Sequence, residues 1–239
     1  MTMTPQQWAG TCQYLGEVFG RTGPRDGRIG TVLETLPQLR KEAGLPDIAI
    51  SGDVGRLLTV LTTLATRTPE ATGRIVEVGT LGGYSALWLV RGLGTSGRLF
   101  TVEQDPRHAA FARARFVQSG VSDRVELIEG GAMHALPRLA DKLGPASVDV
   151  IFLDADKREY VDYLRVLKPM LRRGGLLLAD NALGSNRWWI TDDPGSLPPE
   201  AAASRAGADL FNHTVAADPD FETACVPIRE GVLIATRIR

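Results

Sequence analysis

The feature that most constrains this chain is an alternation of two sequence patterns that begins at residue 74. Short apolar runs rich in β-branched residues alternate with longer segments whose apolar residues recur at helical spacing. The short runs predict strands at 74–80, 97–103, 124–130, 148–155 and 175–181. The longer segments predict helices at 84–93, 106–119, about 132–142, about 158–172 and about 200–217. Apolar strands separated by helices are typical of βαβ units that build one parallel sheet.

The end of the chain follows a different pattern. Two apolar segments, 221–228 and 231–239, are separated only by Arg229-Glu230. So short a link predicts an antiparallel hairpin at the edge of the sheet. Together the two patterns predict an α/β fold with a mostly parallel sheet, an antiparallel last strand and helices on both faces.

The segments outside this alternation have their own character. Residues 1–70 are predicted to be helical, including an amphipathic stretch at 53–67, and they are too weakly patterned for an independent domain. We therefore expect one domain over 1–239, with a helical cap at 1–70 on an α/β core at 71–239. Residues 182–199 are rich in turn formers and predict a long loop, and loops of such length in compact domains are often functional.

Charge and composition exclude several kinds of partner. A formal net charge of −1 gives no electrostatic reason to expect a nucleic acid or an anionic membrane. No apolar run approaches the roughly 18–20 residues needed to cross a bilayer, and the N-terminus lacks the pattern of a signal peptide. Cys12 and Cys225 are far apart and in no metal-binding or redox spacing. We expect a reduced, cytoplasmic protein without nucleic-acid or membrane partners.

The stretch EVGTLGGYS joins the first predicted strand to the helix that follows it. Gly79, Gly82 and Gly83 allow a tight turn and a close approach of the backbone to a ligand at the helix N-terminus. The stretch is neither a phosphate-binding P-loop nor a dinucleotide-binding G-x-G-x-x-G motif. Glu77, just before the first glycine, is predicted to present its carboxylate at the edge of the sheet, where it suits a cationic ligand.

Glu103 ends the second predicted strand. Nucleotide-binding α/β proteins place an acidic residue there that binds the ribose hydroxyls. S-adenosylmethionine has a ribose together with an ammonium and a sulfonium, so Glu77 and Glu103 together fit this methyl donor. The alternative is that the glycines serve only a tight turn and that Glu103 is a solvated strand end.

Oxygen ligands follow two predicted strands that we expect to be neighbours. Asp154 ends the fourth strand, and Asp180-Asn181 ends the fifth. Because the carboxyl ends of parallel strands meet at one edge of the sheet, the two carboxylates and the amide should converge there. Such hard oxygen donors favour Mg²⁺ or a similar ion and leave about three positions open on an octahedral cation. An acceptor with two adjacent oxygens could chelate at those positions.

Lys157 stands close to this predicted cation site, in a chain in which Lys41, Lys142 and Lys168 are the other lysines among 27 basic residues. A lysine can act as a base where an arginine cannot. The predicted chemistry is methyl transfer to oxygen: a cation lowers the pKa of a phenol, Lys157 acts as base or stabilises the phenolate, and the phenolate attacks the sulfonium methyl in line. The alternative is that the two aspartates cap local structure and that Lys157 is solvated.

Four motifs in this order and spacing, EVGTLGGYS, TVEQDP, DADKREY and LLLADNAL, resemble the cation-dependent O-methyltransferases. That family includes the caffeoyl-CoA and catechol O-methyltransferases and their bacterial relatives, and the likeness extends from about residue 48 to the C-terminus. The resemblance implies a Rossmann-like class I methyltransferase fold with a seven-stranded sheet. It also implies S-adenosylmethionine as donor, Mg²⁺ or a similar cation, a catechol-like small molecule as acceptor, and a homodimer.

By the same resemblance, the cation ligands would be Asp154, Asp180 and Asn181, with Asp154 also touching the donor, and Lys157 would be the catalytic base. The residues expected to contact or border the donor are Ser51, Glu77, Gly79, Ser85, Glu103 and Ala132. The chain departs from the family at Gly130-Gly131-Ala132, where many relatives have Gly-Asp-Ala, so only backbone contacts are expected near the adenine. It departs again at Glu230-Gly231, where Asp-Gly is usual.

Several residues near these motifs receive weaker assignments. Trp188 and Trp189 follow the predicted cation ligands and are expected to form a wall for a flat aromatic acceptor, with loop packing or a dimer contact as the alternative. Tyr160 is expected to have a structural role at a helix start, and Asp156 to cap that helix. The isolated residues His108, His134 and His213 are assigned no chemistry.

Two other functions fit an α/β fold of this kind. An NAD(P)-dependent short-chain dehydrogenase would need a Tyr-x-x-x-Lys pair, but leucines stand four positions after Tyr160 and Tyr163. A non-catalytic protein that binds S-adenosylmethionine would keep the fold and lose the cation ligands, all of which are present here. The sequence therefore favours a catalytic O-methyltransferase.

Overall fold

The computed structural model describes residues 4–22 and 27–239. Its strands are β1 (Arg74–Val78), β2 (Arg98–Glu103), β3 (Val125–Glu129), β4 (Val148–Leu153), β5 (Leu171–Asp180), β6 (Gly184–Ser185), β7 (Trp188–Trp189), β8 (Phe221–Val226) and β9 (Val232–Arg237). Its helices are α1 (Pro5–Val18), α2 (Gly27–Glu42), α3 (Gly52–Thr66), α4 (Tyr84–Gly92), α5 (Pro106–Ser119), α6 (Ala132–Leu143), α7 (Tyr160–Leu167) and α8 (Pro199–Ala216). Within these ranges, no helix is both long enough and apolar enough to cross a membrane.

Seven of the strands form one sheet in the order β3-β2-β1-β4-β5-β9-β8. The pairs between β3 and β5 are parallel, whereas β9 is antiparallel to both β5 and β8. Within the sheet Val78 pairs with Leu153, and Leu153 pairs with Ala179, so β1, β4 and β5 end at the same level. The predicted fold class is confirmed, including the antiparallel last strand and the hairpin at the edge of the sheet.

The central strands of the sheet are buried on both faces, as their apolar character predicts. All six residues of β4 are buried. Val150 and Phe152 pack with residues of α2 to α5 on one face, and Ile151 and Leu153 pack with residues of α6 to α8 on the other. Helices thus cover both faces of the central strands, whose carboxyl ends lie at one level.

The N-terminal helices differ in how they attach to the sheet. Helix α1 has no buried residue, whereas Leu36 of α2 and Leu58 of α3 are fully buried in the same core as Trp88 of α4. Gly55 permits this packing, because a Cβ there would lie 2.3 Å from the Trp88 indole nitrogen. This shared core supports the proposal of one domain in which α2 and α3 cap the α/β core.

The connection from α7 to β5 differs from the prediction. The expected helix at 158–172 is a 3₁₀ turn at Lys157–Glu159, then α7, then a second 3₁₀ turn at Lys168–Met170. Strand β5 begins at Leu171, which pairs with Val148, and an irregularity in the ladder follows before Leu176 pairs with Val150. Strand pairing therefore overrides the helical pattern in this segment.

The predicted loop at 182–199 contains local structure of its own. Strands β6 and β7 pair antiparallel, with Gly184 opposite Trp189 and Ser185 opposite Trp188. A 3₁₀ turn at Pro194–Ser196 then leads into α8. The segment is thus a short hairpin and a turn carried on α8.

Candidate active site

A cavity of about 1030 Å³ opens at the carboxyl ends of the parallel strands. Its wall includes the residues that end or directly follow four neighbouring strands, namely Val78, Glu103, Asp154 and Asp180. This edge is where open α/β sheets bind ligands. The cavity is large enough for two small molecules of the size expected for a methyl donor and an aromatic acceptor.

The three predicted cation ligands lie together on the cavity wall. Asp154 directly follows β4, Asp180 ends β5, and the two strands are neighbours with Leu153 opposite Ala179. Asn181 has a φ of 57°, a left-handed conformation that asparagine tolerates better than most residues. Among residues 4–22 and 27–239, no group of three His, Cys, Asp or Glu side chains is arranged to hold a metal ion. The oxygen set is therefore two carboxylates and one amide.

Electrostatics at this point favour binding of a cation. Burial and, after it, the negative charge of Asp154 raise the pKa of Asp180 to about 8, against the opposing effect of the ammonium of Lys157. Two carboxylates held close together in a poorly solvated place repel each other. A divalent cation between them would remove that repulsion, so the donor set fits a hard metal ion.

Lys157 is buried beside the two aspartates. Its Nζ donates hydrogen bonds to Tyr160 Oη at 2.7 Å and to Asp154 Oδ1 at 3.2 Å. Burial lowers the pKa of Lys157, but Tyr160, Asp154 and Asp180 together outweigh burial and raise it above its ordinary value. Without a cation at the aspartates, the lysine is therefore an ammonium.

Two contacts fix the backbone around Lys157. The amide of Ala155 donates to Tyr160 Oη at 3.2 Å, so the phenol oxygen joins the lysine to the turn that carries it. Gly207 of α8 approaches the same turn, since a Cβ at this position would lie 2.5 Å from the Lys157 carbonyl oxygen. Asp156 caps the turn by accepting a hydrogen bond from the Arg158 amide at 3.1 Å, which confirms the predicted capping role.

The glycine loop forms the part of the cavity wall next to Asp154. Gly79 has a φ of 99°, and a Cβ there would lie 2.0 Å from the Asp154 carbonyl oxygen, so only glycine fits. Glu103 accepts hydrogen bonds from the backbone amides of Leu81 at 2.7 Å and Asp105 at 2.9 Å. These bonds hold its carboxylate in place on the cavity wall, where further lone pairs can accept hydroxyl donors.

The other predicted donor residues on this wall are Ser51, Ser85 and Ala132. Ser51 precedes α3, and its buried Oγ has no hydrogen-bond partner in the described part of the chain. Gly131 precedes Ala132, and a Cβ at Gly131 would meet nothing within 4 Å. The unpaired Ser51 hydroxyl and the open space at Gly131 both suit contact with a polar ligand in the cavity.

Glu77 lies away from the cavity wall, although it was predicted to face the ligand. It is completely buried and accepts a hydrogen bond from Thr101 Oγ1 at 2.6 Å. Burial raises the pKa of Glu77 to about 8, and hydrogen bonding by Ser85 and Thr101 opposes the rise. Ser85 does line the cavity, so Glu77 lies one layer behind it.

The two tryptophans of the small hairpin have different surroundings. Trp188 is 4% exposed, lines the cavity and packs against Ala201 and Ala208 of α8. Trp189 is 41% exposed and is not part of the cavity wall. Alternation along a strand explains the difference, because adjacent side chains point to opposite faces.

Comparison with known proteins identifies this arrangement of residues. The O-methyltransferase family model matches residues 28–238, which is most of the chain. This chain belongs to that family. A catechol O-methyltransferase from Niastella koreensis is 34% identical over 194 residues, covering 81% of this chain and 84% of the relative. A catechol O-methyltransferase from Mycobacterium tuberculosis is 42% identical over 142 residues, covering 59% of this chain and 60% of the relative.

Solved structures of similar proteins agree with the family. The O-methyltransferase TomG of Streptomyces achromogenes, involved in tomaymycin synthesis and solved with S-adenosylmethionine, is 28% identical with a TM-score of 0.80 over 100% of both chains. A Bacillus cereus O-methyltransferase in complex with S-adenosylhomocysteine is 27% identical with a TM-score of 0.78, covering 97% of this chain and 99% of the other. The methyltransferase fold and the predicted class, an S-adenosylmethionine-dependent O-methyltransferase, are confirmed.

Several residues of the methyltransferase cavity were not predicted from the sequence. His108 and His134, which were assigned no chemistry, both line it, as do Gln104 and Arg187. So do three residues from the first turns of α8: Glu200, Ala201 and Ser204. Their only signal was position, since Gln104 and His108 follow a predicted ligand and Arg187 lies in the loop expected to be functional.

Proposed function

We propose that this methyltransferase transfers the methyl group of S-adenosylmethionine to a phenolic hydroxyl of a catechol-like aromatic small molecule with the help of Mg²⁺ or a similar cation. The observation that carries the proposal is the meeting of Asp154 with Asp180 and Asn181 on the wall of one cavity. The names of the Niastella and Mycobacterium relatives support a catechol-like acceptor.

The donor would bind on the side formed by the glycine loop. Glu103 would accept hydrogen bonds from the ribose hydroxyls, and Gly79 would let the donor approach the backbone closely. Ser51 and Ser85 would border the methionine end, and Ala132 would lie near the adenine. Glu77 would contribute through space as a buried carboxylate behind Ser85, without direct contact.

The cation would be held by Asp154, Asp180 and Asn181, which fit a hard metal ion in type and charge. When bound, such a cation lowers the pKa of a coordinated phenol and orients two adjacent hydroxyls. The raised pKa of Asp180 is consistent with this role, because a carboxylate with a nearby like charge gains most from a cation.

Lys157 would hold or receive the phenolic proton. As an ammonium it stabilises a phenolate oxygen by charge and hydrogen bonding. Neutralisation of Asp154 and Asp180 would remove two of the three charges that raise the pKa of Lys157, leaving that of Tyr160, and would shift the lysine towards its neutral, basic form. The phenolate oxygen then forms a bond to the methyl carbon as the bond from carbon to sulfur breaks, and the proton leaves through Lys157 Nζ.

A methyl-transfer assay with catechol tests the proposal. We expect turnover of catechol in the presence of Mg²⁺, loss of turnover in EDTA, and recovery when Mg²⁺ is restored in excess. Full activity in EDTA would contradict the cation's role. Binding of S-adenosylmethionine by calorimetry without methylation of any vicinal diol would instead support a non-catalytic binding protein.

We also propose that the enzyme acts as a homodimer in the cytoplasm. Cys12 and Cys225 are free thiols, which suits a reducing compartment. Helix α1 carries exposed Tyr14 and Val18, with Phe19 directly after it, and buries none of its residues. Such an apolar surface suits contact with a second copy of the chain. Light scattering of the purified protein checks the dimer, and a monomer at micromolar concentration would contradict it.

A further inference from the structure

The hairpin of β6 and β7 presents an arginine at the cavity. Ser185 pairs with Trp188, so Asn186 and Arg187 form the two-residue turn. The Arg187 amide donates to Ser185 Oγ at 3.1 Å, which fixes the turn. Helix α8 supports the hairpin, because Trp188 packs on it and the Arg205 guanidinium donates to the Ile190 carbonyl at 2.5 Å. Arg187 therefore belongs to a well-supported part of the wall.

Arg187 differs from the other lysine and arginine side chains on that wall in its partners. Among the residues that the structure describes, the cavity wall has four lysine and arginine side chains, and the three other than Arg187 are ion-paired with a carboxylate. These pairs are Lys157 with Asp154, Arg158 with Asp156, and Arg229 with Asp53. Within residues 4–22 and 27–239, the guanidinium of Arg187 has neither an ion pair nor a hydrogen bond. Its charge is thus available to a ligand.

The carboxylates near the hairpin are not paired with Arg187 in the described part of the chain. Glu159 accepts a hydrogen bond from Tyr163 Oη at 2.5 Å. Glu200 is exposed to solvent, and an exposed ion pair contributes little. Neither acid therefore holds the Arg187 guanidinium.

The position of Arg187 assigns it to one of the two ligands. It lies six residues after Asn181 and beside Trp188, and all three line the cavity. The residues proposed for the donor lie elsewhere in the chain, since Ser51 precedes α3 and Glu103 ends β2. An anion bound by Arg187 would therefore be part of the acceptor.

We infer that the natural acceptor is a catechol-like ring bearing a carboxylate, which Arg187 binds while the ring lies against Trp188. A planar guanidinium binds a carboxylate through two parallel hydrogen bonds, and an indole face stacks on an aromatic ring. This inference rests on the proposed function, since it names the acceptor of the same site.

The test compares protocatechuic acid with its primary amide, which has the same shape and no charge. For the wild-type enzyme we expect kcat/KM to be at least about tenfold higher for the acid. In Arg187→Gln this acid-to-amide ratio should fall by about 10- to 100-fold, towards unity. The matched control is Arg158→Gln, an arginine of the same wall whose charge is already paired, and it should keep the wild-type ratio.

The outcomes separate this inference from the proposed function. A wild-type ratio near unity, or a ratio that Arg187→Gln leaves unchanged, overturns the role of Arg187 while catechol turnover still supports methyl transfer. An equal fall of the acid-to-amide ratio in Arg158→Gln also overturns the role of Arg187, since the loss of any positive charge on this wall would then have the same effect. If the wild-type enzyme methylates neither the acid, the amide nor catechol, the proposed function itself fails.

Discussion

Strand β4 has an aspartate at each end, and the two are surrounded in opposite ways. Asp149, near its start, is fully buried and accepts hydrogen bonds at 3.0 Å from the Thr72 amide, the Thr72 hydroxyl and the Arg74 amide. Arg172 of β5 adds an ion pair at 2.5 Å, and its guanidinium donates in turn to the Ala65 carbonyl. The buried charges of Asp149 and Arg172 are thus matched by each other and by hydrogen bonds.

At the other end, the neighbour of Asp154 on β5 is a second carboxylate, Asp180. Lys157 Nζ donates a hydrogen bond to Asp154 Oδ1 at 3.2 Å, and the side chain of Asp154 remains 20% exposed at the cavity. The comparison shows how one pair of strands uses buried charge for two purposes. At one end a carboxylate is matched by an arginine, and at the other two carboxylates share one lysine, which suits the proposed cation.

The largest effect should follow from Asp154→Asn. The change removes a proposed cation ligand, and we expect kcat/KM for catechol to fall by more than about 10³-fold. The fold should persist, because repulsion with Asp180 is relieved. Methyl-transfer assays and urea unfolding measure both properties. The matched control is Asp162→Asn, which changes an ion-paired aspartate on the outer side of α7. If Asp154→Asn retains activity within about tenfold of the wild type, the comparison between the two ends of β4 fails.

The reverse result is expected for Asp149→Asn at the opposite end. Loss of the carboxylate leaves the Arg172 guanidinium buried without its counter-charge, which should lower the free energy of unfolding by about 3–5 kcal/mol. Urea unfolding measures the loss, and the activity of the fraction that remains folded should be close to that of the wild type. A protein as stable as the wild type would show that the matched charges at this end do not support the fold.

A smaller effect is expected for Tyr160→Phe, which would identify Tyr160 as a positioning residue. The variant removes the oxygen that accepts from Lys157 Nζ at 2.7 Å and from the Ala155 amide at 3.2 Å. We expect kcat to fall by about 10- to 100-fold with little change in KM for either substrate, because Lys157 loses its orientation and the substrates keep their contacts. A rise in KM with unchanged kcat would indicate a purely structural role.

The smallest effect concerns Glu77, the buried carboxylate of β1. Its folded-state pKa is about 8 and its ordinary value is 4.5, so the folded state binds the proton more tightly. Stability of the ligand-free protein should therefore fall as pH rises between these values, by about 1 kcal/mol per pH unit. Glu77→Gln should lose this contribution and show a shallower dependence, while Asp180, whose pKa is also about 8, keeps its own. Urea unfolding at about pH 6 and about pH 8 measures the change in the free energy of unfolding with pH. An equal change in the wild type and in Glu77→Gln would contradict the prediction.

Much of this organisation follows directly from local sequence patterns. The apolar run of β4 and the helices on either side of it indicate a parallel sheet, and the parallel sheet brings Asp154 and Asp180 to one edge. Gly79 could likewise be assigned a close backbone contact, although its partner, the Asp154 carbonyl, is visible only in three dimensions. The cation ligands could be proposed because their geometry depends on strand order alone.

Other features depend on contacts that no local pattern encodes. Arg172 resembles the charged end of a helix, yet it lies in β5 because Leu171 pairs with Val148 and Asp149 provides a buried counter-charge. Glu77 looked like a ligand because strand ends often are, but Thr101 of β2 holds it in the interior. Strand pairing and side-chain partners decide such cases.

The part of the cavity wall proposed to bind the acceptor has a consequence for how enzymes of this kind diversify. Arg187, Trp188, Ala201 and Ser204 come from one continuous stretch of chain. The two borders of that stretch are tied to each other, because the Asn212 side chain donates to the Ala182 carbonyl at 2.7 Å. Recombination of this one stretch between relatives should therefore exchange acceptor preference as a unit while the methyl donor stays the same.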